Sequence, residues 1–287
     1  MWSCNGNRFK VCIKNISLKA EQPIGIFDSG VGGLTVANAI CKLLPHENTI
    51  YFGDTAHLPY GDKSTEAVRQ YAKRITEFLM DKNCKMVVVA CNTASAAAFE
   101  ELKNQFGDKI LLADVIEPMV NHIQKNYASK KIGIIATKGT VGSGIYENKL
   151  KAVDVKDVNS LATPLLVHLI EEGFSSHVGS NLLVQEYLHD KKLRKIDVLV
   201  LACTHYPILK NTIEDFYHHE VKVLDSTIIT AEKVKEVLAQ NQLLNSSSQK
   251  ATHEFYVSDF TPAFEQITKI FYGSEIHLAK CDIWNKA

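Results

Sequence analysis

A chain of 287 residues with 46% hydrophobic and 22% charged side chains has the material for one large or two ordinary globular domains. Lysine plus arginine equals aspartate plus glutamate, at 32 each, so no global field favours nucleic acid or an anionic membrane. No apolar stretch approaches the length of a membrane span. The seven cysteines, Cys4, Cys12, Cys41, Cys84, Cys91, Cys203 and Cys281, are odd in number and show no repeating framework, which fits reduced thiols in a cytoplasmic protein.

Residues 1–22 are polar with scattered lysines and lack the continuous apolar core of a signal peptide; they read as an N-terminal extension. A short strand over 23–27 runs into Asp28-Ser29-Gly30-Val31-Gly32-Gly33, and an apolar helical pattern follows over 34–44. Strand, glycine-rich turn and helix is the local form of an anion site, but the third glycine comes too early for a dinucleotide fingerprint. A second strand covers 49–52, and Pro59-Tyr60-Gly61 makes a turn behind it. Ser64 suits the N-cap of a helix whose apolar residues, from Ala67 to Leu79, recur at helical spacing.

Val87-Val88-Val89-Ala90-Cys91-Asn92-Thr93 reads as a buried strand delivering a thiol to its carboxyl end, followed by a helix over about 94–106 and a strand over 110–113 that ends at Asp114. Residues 131–142 then echo 23–32. The offset between Ile24 and Ile132 is 108 positions, and between Cys91 and Cys203 it is 112. Two unrelated features recurring at nearly one offset point to a repeated domain. In the second half Thr163-Pro164 starts a helix that Gly173 closes after Glu171 and Glu172. Residues 181–188 read as helix, 196–202 as the strand carrying Cys203, with Pro207 suited to the first turn after it. A strand over 221–224, an amphipathic helix over 227–240, a serine-rich loop over 245–249 and an edge-type strand over 253–257 follow, then a terminal helix and tail. The basic clusters Lys191-Lys192 and Arg194-Lys195 read as solvated faces. Alternating strands and helices imply an α/β fold with parallel sheets. In such sheets the crevice lies beyond the carboxyl strand ends, where Asp28, Cys91 and Cys203 all fall.

A helix start behind Cys91 favours its thiolate, and Cys203 has His205 two residues on. A nucleophilic cysteine enzyme needs one thiol and one base, so it leaves the second thiol unexplained. The two cysteines are not a Cys-x-x-Cys pair, and Cys203-x-His205 supplies only two of the four ligands a zinc site wants. Two thiols in a repeated frame do suit a two-base device: one thiolate removes a proton from a carbon and the opposite thiol returns one.

The segments Gly25 to Thr35, Tyr51-Phe52-Gly53-Asp54 with Pro59-Tyr60-Gly61, Ala90 to Ser95 and Ala202-Cys203-Thr204-His205-Tyr206-Pro207 resemble, in order, the glutamate racemases of bacterial cell-wall synthesis. The resemblance spans roughly residues 23–257. It implies an enzyme without a cofactor or metal that interconverts L- and D-glutamate for peptidoglycan. It implies two similar α/β domains related by a pseudo-twofold, with the active site between them: 23–114 and 226–287 in the first, 115–225 in the second. It places the acid/base thiols at Cys91 and Cys203, with Asp28 and His205 assisting, and a further acid at Glu171, with Glu172 adjoining. Substrate contacts would come from Asp28, Ser29, Tyr60, Gly61, Asn92, Thr93, Thr204 and His205. It further implies a cytoplasmic homodimer acting on a small molecule, with no nucleic acid or membrane partner. Thr163 stands where many members carry cysteine, and His168 where proline is common. Aspartate racemisation on the same fold, and a non-enzymatic binding role, are the alternatives.

Overall fold

The computed structural model describes residues 18–174, 177–260 and 262–285. Residues 1–17, with Cys4, Cys12 and most of the expected N-terminal extension, lie outside the described residues. The first sheet is built from β1 (Ile24–Asp28), β2 (Thr49–Gly53), β3 (Met86–Val89) and β4 (Leu111–Asp114), joined through α1 (Leu34–Leu43), α2 (Thr65–Asp81) and α3 (Asn92–Phe106). After α4 (Ile116–Tyr127) the scheme restarts with β5 (Ile132–Ala136), α5 (Lys138–Gly142), α6 (Ile145–Ala152) and β6 (Val158–Ala162). Then come α7 (Leu165–Glu171), α8 (Val178–Leu188), β7 (Val198–Ala202), α9 (Lys210–Phe216) and β8 (Lys222–Asp225). The chain ends with α10 (Thr227–Gln240), β9 (His253–Val257), α11 (Pro262–Tyr272) and the two-residue β10 (Ala279–Lys280).

The strand orders are β10-β9-β2-β1-β3-β4 and β6-β5-β7-β8, and every pairing is parallel. The core β2-β1-β3-β4 of the first sheet and the whole of the second are the same arrangement, so the repeat read from the two offsets is a repeat of topology. Strands β1, β2, β3, β5 and β7 are buried along their whole length. Helices cover both faces of such strands, which is why they read as continuous apolar runs and not as alternation.

The helices follow their capping signals. Ser64 Oγ accepts from the Ala67 N–H at 3.2 Å at the start of α2, whose buried face is Val68, Ala72, Ile75 and Leu79. Helix α10 packs on α1, α4 and β4, tying the end of the second repeat back to the first sheet. Helix α5 packs on α3 and on the turn of 3-10 helix at Tyr60–Asp62, so the carboxyl ends of the two sheets face each other.

Several expectations change. Helix α3 begins at Asn92, not near residue 94, and Cys91 is itself the N-cap. Helix α8 begins at Val178, three residues before the expected start. The strand 253–257 is not an edge, because β10 pairs with its outer side. Pro207 lies in a 3-10 turn over Tyr206–Leu209 that precedes α9. Strand β6 and helices α4, α5 and α6 lack a counterpart in the sequence reading.

Candidate active site

In each sheet the chain leaves the first strand in one direction and returns on its other side. The gaps between β1 and β3, and between β5 and β7, are therefore topological switch points, where side chains at carboxyl strand ends open into a crevice. Asp28 ends β1 and Cys91 follows β3; Thr137 follows β5 and Cys203 follows β7. Because the sheets face each other, the two switch points share one small cavity. Cys91 and Cys203 both line it, with Ser29, Tyr60, Gly61, Asn92, Thr93, Thr204 and His205.

On the first side, Cys91 caps α3: its Sγ accepts from the Ala94 N–H at 3.4 Å and its thiol donates to Ser29 Oγ at 3.7 Å. Burial pushes the Cys91 thiol up, the nearby Asp28 charge adds to this, and the bond from the Ala94 N–H opposes it only in part. The helix start was expected to favour the thiolate; burial and the Asp28 charge outweigh it and favour the thiol. Asp28 is fully buried. Its Oδ2 accepts from the N–H groups of Gly30 at 3.2 Å and Gly33 at 3.0 Å, and Thr204 donates to Oδ1 at 3.4 Å. Burial raises its pKa, while His205 and those two backbone bonds pull it down. Its hydrogen bonds thus go to its own turn and to Thr204 across the interface; it acts on Cys91 through charge.

On the second side, Cys203 Sγ lies 3.8 Å from His205 Nδ1, and His205 Nε2 lies 2.7 Å from Glu171 Oε1. The His205 ring stands edge-on to Phe271, 5.3 Å between centroids. Burial opposes charge on the imidazole, yet the hydrogen bonds and charges of Cys203 and Glu171 carry its pKa well above the usual histidine range. Glu171 and not Glu172 meets His205: Glu172 is exposed at the end of α7. Close approach needs the glycines here. A Cβ at Gly32 would lie 2.6 Å from the His205 ring, and one at Gly61 2.7 Å from Thr137 Cβ.

Tyr60 lines the cavity and donates its hydroxyl to Asp54 Oδ2 at 2.7 Å. Asp54, fully buried, also accepts from Ser258 Oγ at 2.8 Å and lies 3.0 Å from His57 Nδ1. The two departures noted in the sequence are both accommodated. Thr163 is buried, donating to the Ala136 carbonyl at 3.2 Å and lying 2.7 Å from the Tyr206 hydroxyl. His168 stays at the surface, 3.4 Å from Asp62.

Sequence reasoning missed Thr137 and Thr140. Thr137 lines the cavity and lies 2.8 Å from Thr93 Oγ1, with Thr140 Oγ1 3.1 Å from it. The signal was present, because the echo of 23–32 in 131–142 sets Thr137 opposite Ser29. Among the described residues no three His, Cys, Asp or Glu side chains are gathered as a metal ion would need.

Comparison with known proteins places the chain in one family. The pattern of the Asp/Glu/hydantoin racemase family matches residues 34–234. The glutamate racemase of Chlorobaculum parvum is 42% identical over 260 residues, covering 90% of this chain and 95% of that protein. Among solved structures, glutamate racemase from Francisella tularensis in complex with D-glutamate superposes with a TM-score of 0.85 at 34% identity, over 93% of this chain and 100% of that one. The isoform RacE1 from Bacillus anthracis gives 0.86 at 34% identity, over 92% and 98%.

Proposed function

The chain belongs to the Asp/Glu/hydantoin racemase family, and from that premise we propose that it is a glutamate racemase working by two-base proton transfer between Cys91 and Cys203. The observation that carries the reading is that both thiols line one cavity, each at the same place in a repeated strand order.

The chemistry follows from the surroundings of each thiol. The His205 imidazolium, held by Glu171, sits beside Cys203 and stabilises negative charge there. Cys203 then takes the α-proton of L-glutamate, and the Cys91 thiol delivers its proton to the opposite face of the same carbon. One C–H bond breaks and one forms, and the enzyme is left with its protons exchanged between the two thiols. D-glutamate runs the sequence backward, with Cys91 as base.

Charge that builds on the substrate during proton removal is met by fixed donors: the hydroxyls of Ser29, Thr93, Thr137 and Thr204, the Asn92 amide and the start of α3. Asp28 offers a carboxylate to the substrate ammonium, and Gly61 and Tyr60 close the cavity from the first sheet. We read residues 23–114 with 226–287 as one lobe and 115–225 as the other. We assign the enzyme to the cytoplasm as a homodimer that supplies D-glutamate for peptidoglycan, a role that complementation of a D-glutamate auxotroph tests. Among the described residues no helix is long and apolar enough to cross a membrane.

Circular dichroism of D-glutamate and D-aspartate incubated with the purified protein decides the substrate. Loss of the glutamate signal alone is expected; loss of the aspartate signal alone would overturn the assignment. Cys203→Ser is expected to abolish racemisation nearly completely, and full activity in that variant would exclude the two-base route.

A further inference from the structure

Asn92 is the first residue of α3, directly after Cys91. It is only 2% exposed and lines the cavity. Its Oδ1 accepts a hydrogen bond of 2.8 Å from the hydroxyl of Tyr146, a buried residue on α6 of the other repeat. Its Nδ2 is buried and has no partner among the described residues. A buried amide N–H left unpaired is costly, and an acceptor entering the cavity relieves that cost.

We infer that Tyr146 is a positioning residue for catalysis: it fixes the Asn92 amide so that Nδ2, and not Oδ1, meets a carboxylate oxygen of the substrate. The two ends of an asparagine amide have nearly the same shape, so packing alone does not choose between them. The hydroxyl of Tyr146 does choose: among the described residues Oδ1 is the acceptor its proton meets, so a turned amide would leave that buried O–H unpaired. Burial raises the Tyr146 pKa, and the charges of Asp114 and Cys203 add to that, so the phenol keeps its proton and remains a donor. With the hydroxyl gone, the amide is free to turn Oδ1 toward the cavity, where it repels a carboxylate. The inference rests on the glutamate reading only for the chemical class of the ligand, a carboxylate.

The test is a double-mutant cycle on the full chain, with racemisation of both glutamate enantiomers as the readout. Tyr146→Phe is expected to raise KM by about tenfold and to change kcat by less than about threefold, the kinetic size of one lost hydrogen bond to a charged ligand. Asn92→Ala is expected to cost at least as much. The double variant is expected to be no worse than Asn92→Ala alone, since Tyr146 acts through Asn92. Effects that multiply, or a Tyr146→Phe enzyme within twofold of wild type, would overturn the inference. Tyr146→Met, whose flexible side chain fills an irregular core site, runs the same cycle should Tyr146→Phe not fold. A wild-type protein inactive on glutamate would sink the function reading by itself; calorimetric binding of D-glutamate to the same four proteins then decides the inference, and no binding at all overturns it too.

Discussion

Replacing Glu171 by Gln removes the negative charge that holds His205 while keeping a side chain of the same shape. His205 is buried and Glu171 largely so, with side chains 3% and 10% exposed, and the contact is 2.7 Å. A hydrogen bond to a charged group contributes about 1.5–3 kcal/mol, so kcat/KM should fall about 10- to 100-fold. An opposite charge at this range shifts a pKa by about 1–3 units, so the limb of the pH–rate profile that reports His205 should move to lower pH. The two enantiomers have equal free energy in water, so kcat/KM must fall equally in both directions, while kcat and KM can differ between them. Stability carries the same signature. The His205 pKa is raised by folding, so its contribution is complete below the unfolded value of about 6.5 and is lost as pH rises through the folded value. The Tm gap between wild type and Glu171→Gln should therefore be widest near pH 6 and close toward alkaline pH. Kinetics followed by circular dichroism and melts across pH provide both readouts. A variant within about twofold of wild type with an unmoved pH profile would refute the role given to the pair.

Gly32→Ala should leave the fold intact and lower kcat about 100-fold, because the new Cβ, 2.6 Å from the His205 ring and 2.7 Å from Thr204 Oγ1, displaces the imidazole by a fraction of an ångström or more. Unchanged kcat in a folded variant would contradict it. Lys85→Met should do the reverse. Lys85 Nζ is fully buried at the amino end of β3, bonded to Glu47, to the Leu243 carbonyl at 2.9 Å and to the Ala20 carbonyl. Its loss strands the Glu47 carboxylate and should cost about 3–5 kcal/mol in denaturant unfolding, with kcat unaltered at temperatures where the variant is folded.

The readable parts of the chain are those where a local pattern and a buried environment agree. The runs Val87 to Val89 and Val198 to Leu201 lie in strands covered on both sides, so their composition alone marks them. The thiols at their ends follow from the same logic, since strand ends at a switch point face the crevice. Strand β6 was not legible because it is an edge: in Val158-Asn159-Ser160-Leu161-Ala162 only Ser160 is buried, and the sequence carries neither a run nor an alternation. Helix α5 spans just five residues, too few to show a period. The pull of the helix start toward the thiolate at Cys91 is outweighed for a different reason, since a helix start is a local feature, whereas burial and the charge of Asp28 on the neighbouring strand come from long-range packing. Long-range partners such as Tyr146 on Asn92, 54 positions apart, leave no local pattern at all. The choice between Glu171 and Glu172 needed the pitch of α7 and the place of His205, which only the assembled site supplies.

The central claim is that two thiols on opposite faces exchange the α-proton. Racemisation of each glutamate enantiomer in heavy water, stopped early and read by mass at the α-carbon, tests it most directly. Two-base transfer predicts that the product carries deuterium at the α-carbon while the recovered substrate still carries protium, from both directions. Protium retained in the product, or deuterium entering the recovered substrate as fast as the product forms, would show a single base serving both faces and would contradict the account.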